Sequence, residues 1–150
     1  MTQSPLSRSK EFWNTTPLEA LSPVEWEALC DGCAKCCLHK LEDEDEGKIY
    51  YTDIVCHLID LTRCRCSDYP NRHKNVPDCI AFDAGDVADM PWLPDTCAYR
   101  LRYLGEPLYD WHYLISGSYD SIHDANESVR DFAVVDSGQD LEEHILHFKP

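Results

Sequence analysis

Apolar residues along this chain fall in short bursts rather than long runs, and the punctuation between them is unusually legible. The first dozen residues are polar, and residues 1–11 read as a loose lead-in to Phe12 and Trp13, the first side chains suited to a core. Ser22-Pro23-Val24-Glu25 is a capping box, in which the Ser hydroxyl and Glu carboxylate each satisfy a free backbone N–H at a helix start. Pro23 then takes the first helical position, where its missing N–H costs nothing. Leu21 and Trp26 are spaced to close a hydrophobic staple across that cap. The helix is expected to end near Cys30. Leu38–Leu41 and Lys48–Val55 flank the acidic stretch Glu42-Asp43-Glu44-Asp45-Glu46-Gly47, and the second flank has strand composition. A hairpin with a solvated acidic tip follows.

Beyond the hairpin the pattern loosens. From Cys56 to Cys79 the chain reads as irregular, because Tyr69-Pro70 and Val76-Pro77 interrupt any long helix. A further helix is expected to start near Asp95 or Thr96 and stop before Gly105, with Cys97, Leu101 and Leu104 on one apolar face. A last helix is expected from Asp140, carrying Leu141, Ile145 and Phe148. The sum is a small α+β domain, mainly helical, with one short hairpin and much irregular chain, occupying 1–150 as a single unit.

Composition sharpens this picture. The chain has 150 residues, 43% hydrophobic and 11% aromatic, enough for one core and against global disorder. No apolar stretch approaches the roughly 18 residues that span a bilayer. The N-terminal residues lack the apolar segment of a secretory signal, so a cytoplasmic protein is expected. With 28 acidic against 13 basic residues the formal net charge is -15. That balance repels phosphate backbones and anionic lipid, and the reading is no nucleic acid, no membrane and an unidentified protein partner. The acidic tip lacks the spaced ligands and terminal Glu of a calcium loop.

Nine cysteines carry the chemistry. In a reducing compartment an odd number that includes an adjacent pair speaks against disulfide stapling and for thiolate ligation. In Cys30-x-x-Cys33-x-x-Cys36-Cys37, two-residue steps let thiolates converge on one metal, and Gly32 suits the turn such a step requires. Adjacent side chains diverge, so Cys36 and Cys37 do not both face one ion. The distal candidates are Cys56, Cys64, Cys66 and Cys79. Three ligands from the run and one distal thiol would complete a site, with enough thiols left over for a second. Zinc and an iron–sulfur cluster both suit such ligands, and the repeated two-residue spacing leans towards iron–sulfur. His39 and His57 read as ordinary surface histidines, and Cys97 as a core thiol.

A metalloprotein whose metal ties irregular segments together is one reading, and an electron-transfer protein is a second. An enzyme using a reactive Cys or His112 is the weakest. Trp111-His112 and His123-Asp124 are its polar constellations, and His112 between aromatics reads as a hydrogen-bonded core histidine. There is no nucleophile elbow, phosphate loop or HExxH helix.

The run at Cys30–Cys37, followed by Cys56, Cys66-Ser67-Asp68-Tyr69 and Cys79, resembles the CxxCxxCC family of proposed zinc- or iron-chelating proteins. Leu93-Pro94-Asp95-Thr96-Cys97-Ala98-Tyr99-Arg100-Leu101 and Trp111-His112-Tyr113-Leu114-Ile115-Ser116-Gly117 are similar to its YcgN-type bacterial subgroup. The wider family often has an Arg-Pro pair before its last cysteine, whereas Arg72 and Pro77 are separated here. Tyr113 stands where the subgroup commonly has Pro. What the resemblance implies is metal chelation, without a reaction.

Overall fold

Ser22 starts its helix as the sequence requires: its hydroxyl accepts from Glu25 N–H, and the Glu25 carboxylate accepts from Ser22 N–H at 2.9 Å. The structure, a computed structural model, describes residues 11–77 and 79–150. In chain order its elements are helices α1 (Phe12–Thr15) and α2 (Pro23–Leu29), then strands β1 (Leu38–Glu42), β2 (Ile49–Val55), β3 (Ile59–Asp60) and β4 (Arg65–Cys66). Helices α3 (Arg72–Asn75), α4 (Ala98–Tyr103), α5 (Tyr113–Ser116) and α6 (Ser121–Asp124) follow, with strand β5 (Val134–Val135) after them. Short 3₁₀ turns lie between. Helical residues amount to 32% and strand residues to 14%, so irregular chain, not helix, is the main component. The expectation of a mainly helical domain is corrected accordingly: among the described residues no helix exceeds seven residues, with proline, glycine and cysteine turns between them. Residues 1–10 of the expected loose lead-in lie outside the described residues.

Two compact units emerge, each from two stretches of chain: residues 11–31 with 82–124, and residues 32–77 and 79–81 with 125–150. The first unit is packed around Leu18, Leu29, Val87, Leu93, Tyr99, Leu101 and their neighbours, with Trp13, Leu21 and Trp26 against them. Trp26, Phe82 and Tyr99 form an aromatic trio with ring centroids 4.5 to 5.8 Å apart. Helix α4 stops as expected, in a Schellman motif: Gly105 at φ 76 donates to Arg102 O and Glu106 N–H to Leu101 O. Leu104 departs from the expected apolar face and is 56% exposed. It caps the helix rather than continuing it, and the turn at Gly105 swings it outward.

The second unit holds a three-stranded sheet in the order β1-β2-β5, antiparallel between β1 and β2 and parallel between β2 and β5. The expected hairpin is present, and its acidic tip closes with Gly47 N–H on Asp43 O. Its ladder is irregular: Leu38 faces Val55 while Lys40 faces Tyr51, so Thr52, Asp53 and Ile54 stand opposite His39 alone. The fully buried Thr52 hydroxyl compensates, donating to His39 O at 2.8 Å and accepting from Ile54 N–H. The expected last helix is instead a 3₁₀ turn over Leu141–His144, capped by Asp140. After it Ile145 bridges to Thr52, Leu146 N–H donates to Tyr51 O, and Phe148 is exposed. Pairing with β2 satisfies this backbone, and the Leu141, Ile145, Phe148 stripe never forms.

Candidate metal centre

The cysteine run begins where α2 ends. The last carbonyls of a helix have no partner within it, and here side chains supply one: Tyr99 OH donates to Trp26 O, Tyr113 OH to Ala28 O and His112 Nε2–H to Leu29 O at 2.8 Å. Cys30 is the C-cap of this end and is exposed. His112 is buried, and its Nδ1 accepts from Leu114 N–H, so the hydrogen bonds assign a neutral ring with the proton on Nε2. Burial pulls its pKa below the usual 6.5, against the opposing influence of the Leu29 carbonyl and the Asp31 charge. It is the core histidine the sequence suggested.

The remaining thiols of the run belong to the second unit. Gly32, at φ 79, makes the turn that two-residue spacing demands. Ala34 also takes a left-handed conformation and leads into a 3₁₀ turn over Lys35–Cys37. Cys33 is buried and its Sγ accepts from Lys35 N–H at 3.4 Å, a bond that stabilises negative charge on sulfur. The Lys35 side chain is itself buried and pairs with Glu127 at 3.0 Å. Cys33 O accepts from Val129 N–H and from the thiol of Cys64, which is buried at a left-handed φ of 58.

The hairpin brings distal thiols towards the run. Its pairing extends past β1, with Cys56 N–H donating to Cys37 O at 3.0 Å. A turn follows, Ile59 N–H on Cys56 O, and the β3–β4 ladder then sets Cys66 opposite Ile59. Cys79 sits in a later turn, its N–H on Val76 O. Burial pushes the Cys79 thiol up, Arg72 draws it down, and Cys56, Cys66 and Cys36 push it up again. The charges of three other thiols of the same unit therefore reach Cys79. Lys40 belongs to the run's own surroundings: burial lowers its pKa, while Cys36, Cys37 and Cys33 raise it. Its ammonium donates to Cys36 O and Leu38 O, both at 2.8 Å.

Tested as a metal site, the donor chemistry fits: soft sulfur ligands, an N–H···S bond and nearby cations that favour thiolate over thiol. As the side chains are placed, no three Cys, His, Asp or Glu among the described residues are grouped to hold an ion.

His57 is exposed, as expected. His39 is not an ordinary surface residue: its Nε2 lies 3.0 Å from Asp136 Oδ2, with both side chains about a third exposed. The Gly138 N–H holds the Asp136 carboxyl below the usual carboxylate range, helped by His39 and by the charge of His57 and opposed by burial. Cys97 is the half-buried N-cap of α4 and packs against the first unit's core. Sequence reasoning missed Lys35, Lys40 and Glu127. The available signal was two lysines within and just after a cysteine run in a strongly acidic chain.

Residues 29–98, a span holding all nine cysteines, match the CxxCxxCC family, whose description is "Putative zinc- or iron-chelating domain". A UPF0260 protein of Mesorhizobium japonicum is 56% identical over 119 residues, covering 79% of this chain and 80% of that protein. One from Cellvibrio japonicus is 49% identical over 140 residues, covering 91% and 95% respectively. One from Pseudomonas putida is 48% identical over 142 residues, covering 95% and 90%. No solved structure matches the chain. No helix among the described residues is long and apolar enough to cross a membrane. On the extent and identity of these matches, the chain belongs to the UPF0260 family.

Proposed function

We propose that this protein binds zinc or an iron–sulfur cluster in its second unit, through Cys36, Cys56, Cys66 and Cys79. The observation that carries the reading is the hairpin pairing that runs on to Cys56 N–H on Cys37 O, next to Cys36, with Cys66 held on the short ladder that follows; the charges of these thiols also reach Cys79. In this reading Lys40 offsets part of the thiolate charge, and the bond from Lys35 N–H steadies sulfur at Cys33. Cys33 and Cys37 are further sulfur donors of the same unit. Cys64 stays a core thiol, since it is buried and bonded to the Cys33 carbonyl. Bound zinc would supply a cross-link between irregular segments, and a cluster would add a one-electron store.

An odd number of cysteines that includes an adjacent pair suits a reducing compartment, which supports a cytoplasmic location. Electron transfer is the second reading, favoured by the Cys30-x-x-Cys33-x-x-Cys36 spacing. Metal analysis of anaerobically purified protein tests both. About four irons per chain with acid-labile sulfide and a brown colour bleached by dithionite support the cluster. Colourless protein with about one zinc per chain supports the structural ion. Cys36→Ser and Cys66→Ser are each expected to lose metal, whereas Cys97→Ala keeps it. Full metal content in Cys66→Ser would sink the ligand set.

A further inference from the structure

Between Arg63 and Lys74 the charge of the chain inverts. Arg63, Arg65, Arg72 and Lys74 are four of its 13 lysines and arginines, set against one carboxylate, Asp68, in a protein with 28 acidic residues. That carboxylate is already engaged: its two oxygens accept from the Asn71 and Asn75 amides, each at 3.0 Å. Arg63, Arg65, His73 and Lys74 are exposed. Among the described residues no ion pair includes Arg63, Arg72 or Lys74. Arg72 is positioned rather than waving: its guanidinium lies 3.8 Å from the centre of the half-exposed Tyr69 ring and donates to Tyr69 O at 2.9 Å.

We infer that this basic island is a docking surface for a carboxylate-rich protein segment, received beside the distal cysteines. Two arguments favour that occupant. The island is only a dozen residues long, so an extended polyanion such as nucleic acid would run off it onto the surrounding acidic surface and be repelled. A short acidic loop touches the island alone, and screening over roughly 8 Å at physiological salt hides most of the distant charge. A guanidinium already fixed on a ring also loses little freedom when it pairs two-pronged with a carboxylate. The half-buried Cys66 lies within this stretch and Cys79 follows it, so a docked partner is received near two of the distal thiols. The inference does not depend on which metal, if any, those thiols hold.

The test uses the full-length protein and a fluorescein-labelled glutamate-rich peptide, followed by anisotropy at low and physiological salt. Binding is expected at low salt, weakening as salt rises. The Arg63→Glu/Lys74→Glu double variant is expected to bind about tenfold more weakly. A control with the same change of net charge off the island, Lys48→Glu/Arg130→Glu, should bind nearly as the unaltered chain does. Equal loss in that control would overturn the island and leave only bulk charge. Zero-length carboxyl–amine cross-linking on the unaltered chain reads the same contact without substitution and should capture the peptide on Lys74; capture spread evenly over other lysines overturns it. An oligothymidylate of equal charge binding as tightly as the peptide would also overturn it, in favour of a phosphate-binding surface. So would a low-salt dimer in sedimentation that the double variant abolishes, which would assign the island to a second copy.

Discussion

The two units of this molecule solve the problem of a small core differently. In the first, residues 11–31 and 82–124, aliphatic and aromatic side chains close on one another around Leu29, Leu93 and Tyr99, and two of the nine cysteines, Cys30 and Cys97, lie at its edges. In the second, Leu38, Tyr51, Ile54, Val55 and Val129 are buried under a small sheet, and seven cysteines occupy turns and strand ends that apolar residues would otherwise fill. A unit that buries hydrocarbon is stable by that burial alone. One that places thiols in its turns has, on the proposed reading, a second contribution to draw on, since metal ligation adds to folding free energy.

The sharpest way to break this contrast is to remove the metal proposed for the second unit. Chelation, or Cys66→Ser, is expected to cost the second unit several kcal/mol, on the order of what a structural thiolate ion contributes. Hydrogen exchange should speed up across residues 32–77 and 125–150, while the near-ultraviolet signal of Trp26, Phe82 and Tyr99 persists. Equal loss in both units would show that they unfold as one, and the contrast would fall. The converse experiment is Leu93→Ala, which opens a cavity at a fully buried position. It should cost about 2–5 kcal/mol by denaturant titration and leave metal stoichiometry unchanged.

Smaller effects sharpen the account of the α2 end. His112→Ala leaves the buried Leu29 carbonyl without its donor and is expected to cost about 1–3 kcal/mol. The same histidine predicts a pH dependence. Its folded pKa lies below 6.5, so between the two values the unfolded chain binds the extra proton. Its contribution is therefore complete above about pH 6.5 and declines as the pH falls below it. Denaturant midpoints measured from about pH 5 to 8 should show that decline in the parent chain and less of it in His112→Ala. Ser22→Ala removes half of a capping box and should cost about 1 kcal/mol, read as a small shift in thermal midpoint. Cys97→Ala should change metal content least of all.

Local chemistry was legible wherever it was sufficient. The capping box, the hairpin with its acidic tip, the proline breaks after Tyr69 and Val76 and the glycine stops at Gly32 and Gly105 all follow from the backbone preferences of a few consecutive residues. Three features were not local, and there the pattern misled. Leu104 matched a helical stripe, but the helix had already turned. Leu141, Ile145 and Phe148 also matched one, yet the edge of β2 offered their backbone a better partner. His39 looked like surface until Asp136, far along the chain, came to meet it.

The sequence by itself determined that this is a cysteine-cluster protein of small α+β type, because side-chain chemistry and short-range spacing suffice for that. Only the tertiary structure decided that the charges of Cys36, Cys56 and Cys66 reach Cys79, that those of Cys33, Cys36 and Cys37 reach Lys40, and that Arg63, Arg72 and Lys74 join no ion pair among the described residues. Those are facts of distance between residues remote in sequence. They are settled by how a bulged hairpin and a two-residue ladder fold back, and no periodicity records that.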